Sequence, residues 1–152
     1  MIERGWIRPS DTYFLRAESF FNVASQIEEL GVLGYYGGKS LHEQSHGEAF
    51  MTLFDRRFYG HGIYILDEPE AALSPTGLMK LIVRLHELAR EGSQFIISTH
   101  SALLLTYPHA DIFELTPDGF LKKPFQETSH FQLTRSFLNH PEHYLPKLLG
   151  EE

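Results

Sequence analysis

The sequence predicts an α/β domain built on a mostly parallel sheet. Two short segments, residues 63–66 and 95–97, are continuously apolar, and a segment with helical spacing of leucines separates them. Continuous apolar runs are typical of strands that are buried on both faces, as in parallel sheets. A strand, a helix and a second strand in this order favour a parallel sheet with helices packed against it.

Composition limits the classes of protein that need to be considered. The chain has 152 residues, of which 42% are hydrophobic and 22% are charged, with no cysteine and a formal net charge of −7. This length suits one domain.

The lack of cysteine excludes a disulfide scaffold, a cysteine nucleophile and a thiolate zinc site. The negative charge argues against a free-standing nucleic-acid-binding protein. Without an apolar run of about 20 residues or a signal peptide, we expect a cytoplasmic chain with no membrane span.

In the first part of the chain, residues 12–15 predict a short strand because they are rich in strand-forming side chains. Residues 18–30 have apolar side chains at helical spacing, and Gly31 is a natural stop. A glycine-rich loop is predicted over residues 34–40, and a second helix from about residue 48 to 58. Gly60 and Gly62 then end that helix.

The remaining elements follow from caps, periodicity and turn residues. The strand at 63–66 ends in Asp67 and Glu68, and Ser74 followed by Pro75 predicts the start of a helix that runs to about residue 90. The strand at 95–97 precedes a short helix over residues 102–107. A turn at residues 117–119 predicts a hairpin of strands 111–115 and 120–125. Residues 130–149 predict helix, interrupted by Pro141 and Pro146.

Polar residues with catalytic potential follow both buried strands. Asp67 and Glu68 end one strand, and His100 lies just after the other. Ligands of parallel sheets bind at the carboxyl ends of the strands. An apolar strand followed by two carboxylates has the form of a Walker B element, in which the first carboxylate holds Mg²⁺ and the second polarises an attacking water.

The surrounding residues resemble the soluble branch of the ABC-type ATPases, which includes RecF-like and SMC-like proteins and short predicted AAA/ABC ATPases. Residues 63–68 resemble the Walker B element, residues 70–75 the D-loop and residues 95–101 the H-loop. Residues from about 41 to 48 resemble a variant signature motif in which His46 replaces the usual glycine. The resemblance implies a three-layer P-loop NTPase-like parallel sheet with flanking helices, and residues 1–152 would form a single partial domain.

The resemblance also implies a role for each matching residue, with ATP and Mg²⁺ as the expected cofactors. Asp67 would bind the metal, Glu68 would be the general base, and His100 would contact the γ-phosphate. Nucleotide contacts would come from four further residues of the signature and D-loop, namely Ser45, Gly47, Glu48 and Ser74. For Ser45 a helix cap remains an alternative, and for His100 a structural histidine does. A counterpart of the family's Q-loop glutamine would be Arg16 or Glu18.

The phosphate-binding Walker A loop has no match in the sequence. The nearest candidate, from Gly34 to Lys39 and Ser40, is one residue short of the required spacing. The resemblance therefore implies the C-terminal portion of the domain, as a fragment, a split gene product or a truncated relative. The chain would be an ATP hydrolase by family but inactive alone. Its partner would be a second copy or the missing N-terminal half, and we expect its open sheet edge to promote self-association. Nucleic acid would bind only through the complete protein.

Two other functions remain open at this stage. His42, Glu43 and His46 match the His-Glu-x-x-His motif of zinc metallopeptidases, but Ala49 and Thr52 occupy the offsets of the third ligand in its extended form. Alternatively, the chain is a non-catalytic interaction module of ABC fold. Three further histidines near the C-terminus are expected to lack nearby carboxylates at ligand spacing, namely His130, His140 and His143.

Overall fold

The computed structural model describes residues 9–20 and 46–151, with only the backbone described for His46. These residues divide into two compact units, one up to Thr99 and the other from His100 onwards. The interpretation of residues 1–152 as a single partial domain stays a prediction.

The first unit contains a three-stranded parallel sheet in the order β1-β2-β3, which confirms the predicted α/β class. The expected helix over residues 18–30 and the glycine-rich loop fall almost entirely outside the described residues. The elements of this unit are β1 (Asp11–Arg16), a 3-10 turn (Ala17–Ser19), α1 (His46–Arg57), β2 (Gly62–Asp67), a 3-10 turn (Pro69–Ala72), α2 (Pro75–Arg90) and β3 (Gln94–Ser98).

Aromatic side chains of α1 form the centre of the first unit. Phe50 and Phe54 lie one turn apart on the same face of α1, Phe58 directly follows its last residue, and all three are fully buried. The ring of Phe54 stacks on Phe58 with 4.2 Å between centroids, and Phe58 lies 4.6 Å from the ring of Tyr64 in β2. Because Tyr64 and Leu66 are also fully buried, this packing fixes α1 on one face of the sheet.

The opposite face of the sheet carries exposed apolar side chains. Phe14, Ile65 and Ile96 are register partners across the three strands, and their exposed fractions are 59%, 41% and 54%. The prediction that these strands are buried on both faces is therefore wrong for this part of the chain. Its strands alternate between covered and exposed residues, as they do in a sheet that is packed on one side only.

Helix α2 connects β2 to β3 and begins where the sequence predicts. The Ser74 side chain accepts a hydrogen bond from the backbone N–H of Gly77 at 3.1 Å, and Pro75 occupies the first turn. Four leucines at helical spacing are buried along one side of the helix, namely Leu78, Leu81, Leu85 and Leu88. Their burial supplies the apolar contact that holds α2 in the first unit.

The second unit consists of short helices and one hairpin. Its elements are α3 (Ala102–Leu105), β4 (Phe113–Thr116), β5 (Gly119–Lys122), a 3-10 turn (Phe125–Glu127), α4 (Ser129–Asn139), a 3-10 turn (Pro141–His143) and α5 (Leu145–Leu149). The hairpin is antiparallel, as predicted, and Gly119 has the positive φ of 117° that its turn requires. The C-terminal helix is interrupted at Pro141, also as predicted. Within residues 9–20 and 46–151, no helix has the length and apolar character needed to cross a bilayer.

Candidate functional site

The carboxyl ends of the three parallel strands bring together the residues of the predicted Walker B element. Arg16, Asp67 and Ser98 are the last residues of β1, β2 and β3, and the sheet register places them side by side. Asp67 lies in the middle because β2 is the central strand. This is the edge at which parallel sheets bind ligands.

The carboxylate of Asp67 is held by hydrogen bonds from both neighbouring strands. Arg16 donates from Nε to Oδ2 of Asp67 at 2.7 Å. This bond from the Arg16 guanidinium lowers the pKa of Asp67, a bond from the Ser98 side chain lowers it further, and desolvation opposes both. Asp67 is therefore ionised at neutral pH, which is the state that a metal-binding carboxylate requires.

Glu68 has a left-handed backbone conformation, with φ 49° and ψ 53°. Such a conformation costs a non-glycine residue about 1–3 kcal/mol and persists only where its surroundings enforce it. Here the backbone N–H of Glu68 donates to the carbonyl of Ser98 at 2.9 Å, and the carbonyl of Glu68 accepts from Ala71 at 3.0 Å. These bonds turn the chain sharply from β2 into the next 3-10 turn and fix the position of the second acidic residue.

The predicted D-loop coincides with the 3-10 turn at Pro69–Ala72 and the start of α2. The hydroxyl of Thr99 donates to Oε1 of Glu70 at 2.8 Å, which ties this turn to the residues that follow β3. Ser74, predicted to contact nucleotide, caps α2 through its hydroxyl. The cap accounts for Ser74 structurally, and its nucleotide contact stays a prediction.

Two of the predicted signature residues lie in the first turn of α1. A Cβ atom added to Gly47 would lie 3.4 Å from the carbonyl oxygen of Ala72, so the predicted signature glycine adjoins the predicted D-loop turn. Glu48 is exposed one residue further on. Ser45 falls outside the described residues, and so do His42 and Glu43 of the alternative zinc motif. The structure therefore leaves the zinc motif untested.

His100 is the first residue of the second unit and is exposed. Its ring lies edge to face with the ring of His130, with 6.1 Å between centroids. The next residue, Ser101, caps α3 by accepting from the backbone N–H of Leu104 at 3.4 Å. A γ-phosphate contact by His100 stays a prediction.

Near the C-terminus, the structure corrects the expectation for two of the histidines. Glu142 lies 3.3 Å from Nδ1 of His140 and 3.8 Å from Nε2 of His143. One candidate ligand atom from each of the three residues lies within 4.8 Å of the others, and all three residues are exposed. The turn that begins at Pro141 brings the Glu142 carboxylate next to both imidazoles, whose rings stack on each other with 5.2 Å between centroids.

Part of the chain matches a known protein family. The family described as "AAA domain, putative AbiEii toxin, Type IV TA system" matches residues 44–106. The matched segment contains the predicted Walker B, D-loop and H-loop residues, together with Ser45, Gly47 and Glu48 of the signature. No solved structure matches the chain.

Curated relatives of the chain are ATP-binding proteins by name. A putative ABC transporter ATP-binding protein of Methanothermobacter thermautotrophicus is 33% identical over 101 residues, which cover 64% of this chain and 34% of the relative. Energy-coupling factor transporter ATP-binding proteins EcfA of Methanosphaera stadtmanae and Methanocaldococcus jannaschii are 36% and 38% identical over 61 residues, which cover 40% of this chain and 22% of each relative. The chain thus spans about a third or less of the length of these relatives. Together with the parallel sheet and its acidic edge, these matches support an ABC/AAA-type ATPase domain of which the chain covers a part.

Proposed function

We propose that this chain supplies the Walker B, D-loop, signature and switch-histidine side of an ATP-hydrolysing site whose phosphate-binding loop belongs to another polypeptide segment. The observation that carries the proposal is the arrangement at the carboxyl edge of the sheet. An ionised Asp67 stands there on the central strand, and Glu68 follows it in an enforced left-handed conformation.

Magnesium fits the side chains that surround Asp67. The Asp67 carboxylate and the Ser98 hydroxyl are oxygen donors, which suit a hard cation, and the sequence offers no cysteine that would favour a softer metal. Mg²⁺ usually takes one or two carboxylates, keeps several waters and completes its shell with substrate phosphates. Asp67 would hold the ion, and the bound ion would neutralise charge on the β- and γ-phosphates.

Glu68 would orient the attacking water and accept its proton. Asp67 and Glu68 can take separate roles at one phosphate because the backbone changes direction between them. The left-handed φ of Glu68 supplies that change, and its bond to the Ser98 carbonyl maintains it. His100 would contact the γ-phosphate and the same water, as its place after β3 and the family resemblance imply.

The signature residues would serve a second nucleotide site. In this proposal, Ser45, Gly47 and Glu48 present the N-terminus of α1 to the γ-phosphate that is bound by a partner. Backbone N–H groups at a helix N-terminus and the helix dipole both favour an anion. The carbonyl of Ala72 lies where a side chain at Gly47 would project, which supports a role for the D-loop in setting the position of that helix end. Ser74, as the cap of α2, would act on the nucleotide mainly by holding the D-loop.

The missing phosphate-binding loop would come from an N-terminal half of the same domain or from a partner chain. The chain spans about a third or less of its relatives, and its sequence lacks the Walker A spacing. In the described residues, one face of the sheet exposes Phe14, Ile65 and Ile96, and β3 pairs only with β2. An apolar face next to an open strand edge is suited to a further strand and helix.

Complementation tests this proposal. The chain alone is expected to bind Mg-ATP no better than millimolar in isothermal titration and to release no phosphate. We then add the upstream segment that bears a Walker A loop, encoded in frame or next to this gene. The mixture is expected to bind Mg-ATP and to release phosphate. A second sample with the Walker A lysine replaced is the control. Sub-millimolar Mg-ATP binding by the chain alone, or hydrolysis that survives the lysine replacement, would contradict the proposal.

A further inference from the structure

We propose that the guanidinium of Arg16 pairs with the carboxylate of Asp67 before Mg²⁺ binds and leaves it when the metal arrives. The inference rests on the metal-binding role proposed for Asp67. Arg16 is thus assigned as a positioning residue that lowers the metal affinity of Asp67.

The contact between the two residues follows from the sheet register. Arg16 and Asp67 are register partners at the ends of β1 and β2, and Nε of Arg16 lies 2.7 Å from Oδ2 of Asp67. A metal that takes this oxygen must displace the guanidinium from it. Arginine and metal therefore compete for the same carboxylate, and only one can hold it fully.

The Arg16 side chain is poorly restrained, which suits an exchangeable partner. It is 53% exposed, against 21% for Asp67. Exposed ion pairs contribute little stability and are screened by salt, so little opposes the departure of the guanidinium. The charges of Glu18 and Glu68 also act on Arg16 and raise its pKa along with Asp67. A released Arg16 would thus remain in an acidic environment.

A second arginine–aspartate pair of the same unit shows what a structural pair looks like. Arg57 reaches both carboxylate oxygens of Asp11 through its two terminal nitrogens, and its guanidinium lies 4.4 Å from the centre of the Tyr13 ring. The side chains of that pair are only 27% and 26% exposed. Arg16 is about twice as exposed as Arg57 and contacts its aspartate through Nε, so the two pairs differ in the way that exchange requires.

The test measures metal binding by the purified chain and needs no enzymatic activity. Free Mn²⁺ is followed by electron paramagnetic resonance during titration, and every protein carries His140→Ala and His143→Ala to remove the exposed histidine cluster. Arg16→Gln is expected to bind Mn²⁺ about threefold or more tightly than its parent. Arg16→Lys keeps the charge and should stay near the parent. Arg84→Gln, which removes an arginine of α2 that pairs with Asp55 and Glu87, is the matched control and should change nothing.

A spectroscopic readout separates exchange from a purely structural role. In ¹H–¹⁵N spectra, the Nε–H signal of Arg16, assigned by its loss in Arg16→Gln, should shift as Mg²⁺ is added. In Asp67→Asn, the Arg16 Nε–H signal should already have the chemical shift of the Mg²⁺-bound parent, and it should not change when Mg²⁺ is added. Equal Mn²⁺ affinity in Arg16→Gln and its parent would overturn the inference. Unchanged Mn²⁺ affinity in Asp67→Asn would instead overturn the metal-binding role of Asp67, and with it the proposed function.

Discussion

Replacement of Phe54 by alanine tests the aromatic packing that positions α1, which begins with the predicted signature residues. Phe54 is fully buried, stacks on Phe58 at 4.2 Å and lies 6.4 Å from the ring of Phe95 in β3. Removal of a buried phenylalanine side chain costs about 3–5 kcal/mol, through lost transfer energy and the cavity that remains. Since whole domains are stable by only about 5–15 kcal/mol, this single change should remove a large part of the stability.

Urea denaturation followed by far-ultraviolet circular dichroism measures the effect. With a typical urea dependence of about 1–3 kcal/mol per molar, Phe54→Ala should lower the transition midpoint by about 2 M. The control is Val83→Ala on the exposed side of α2, where the side chain is 58% exposed and the cost should be about 0.5 kcal/mol or less. A loss below about 1 kcal/mol for Phe54→Ala, or equal losses for both variants, would refute this account of the core.

Three further predictions concern charge, capping and the open sheet face. Arg57 lowers the pKa of Asp11 below its ordinary value of 3.8, so the free energy of unfolding should fall as the pH drops below about 4, and Asp11→Asn should flatten that slope in acid titrations. Ser74→Ala should cost about 1 kcal/mol in urea denaturation, because it removes the cap of α2. The chain should self-associate in light scattering, and Ile96→Lys should reduce the association because it places a charge on the exposed apolar face.

Each of these predictions has an outcome that contradicts it. For Asp11, the prediction fails if the free energy of unfolding of Asp11→Asn falls as steeply below pH 4 as that of the parent. For Ser74, it is an alanine variant as stable as the parent, with Ser74→Gly as the control that should lose less. For the sheet face, a monomeric parent chain at all concentrations would show that the exposed face and open edge do not drive association.

The order of strands and helices could be predicted because local signals agreed with one another. Ser74 and Pro75 indicated the start of α2, and the structure places its first residue at Pro75. The strand at 63–66 was expected to be buried on both faces, yet Ile65 is 41% exposed. Its apolar pattern matches a sheet with two covered faces, whereas residues 9–20 and 46–151 cover only one face of it. This mismatch is what the proposed N-terminal segment would resolve.

Contacts between distant residues could not be predicted from the sequence. Arg16 and Asp67 become neighbours only through the parallel register of β1 and β2, which the amino-acid pattern leaves undetermined. From the sequence we expect no carboxylate at ligand spacing from His140 and His143, but the turn that begins at Pro141 brings Glu142 next to both rings. The left-handed backbone of Glu68 had no sequence signal either, because glycine is the residue that usually marks such a position.

The most direct test of the central claim is a single-turnover assay on the chain combined with its Walker A-bearing segment. Radiolabelled Mg-ATP is bound first, and phosphate release is then compared between the parent and Glu68→Gln. Glu68→Gln is expected to bind Mg-ATP as tightly as the parent but to release phosphate at least about a hundredfold more slowly, since it lacks the general base. Release at the parental rate by Glu68→Gln would contradict the claim that this chain supplies the catalytic carboxylate.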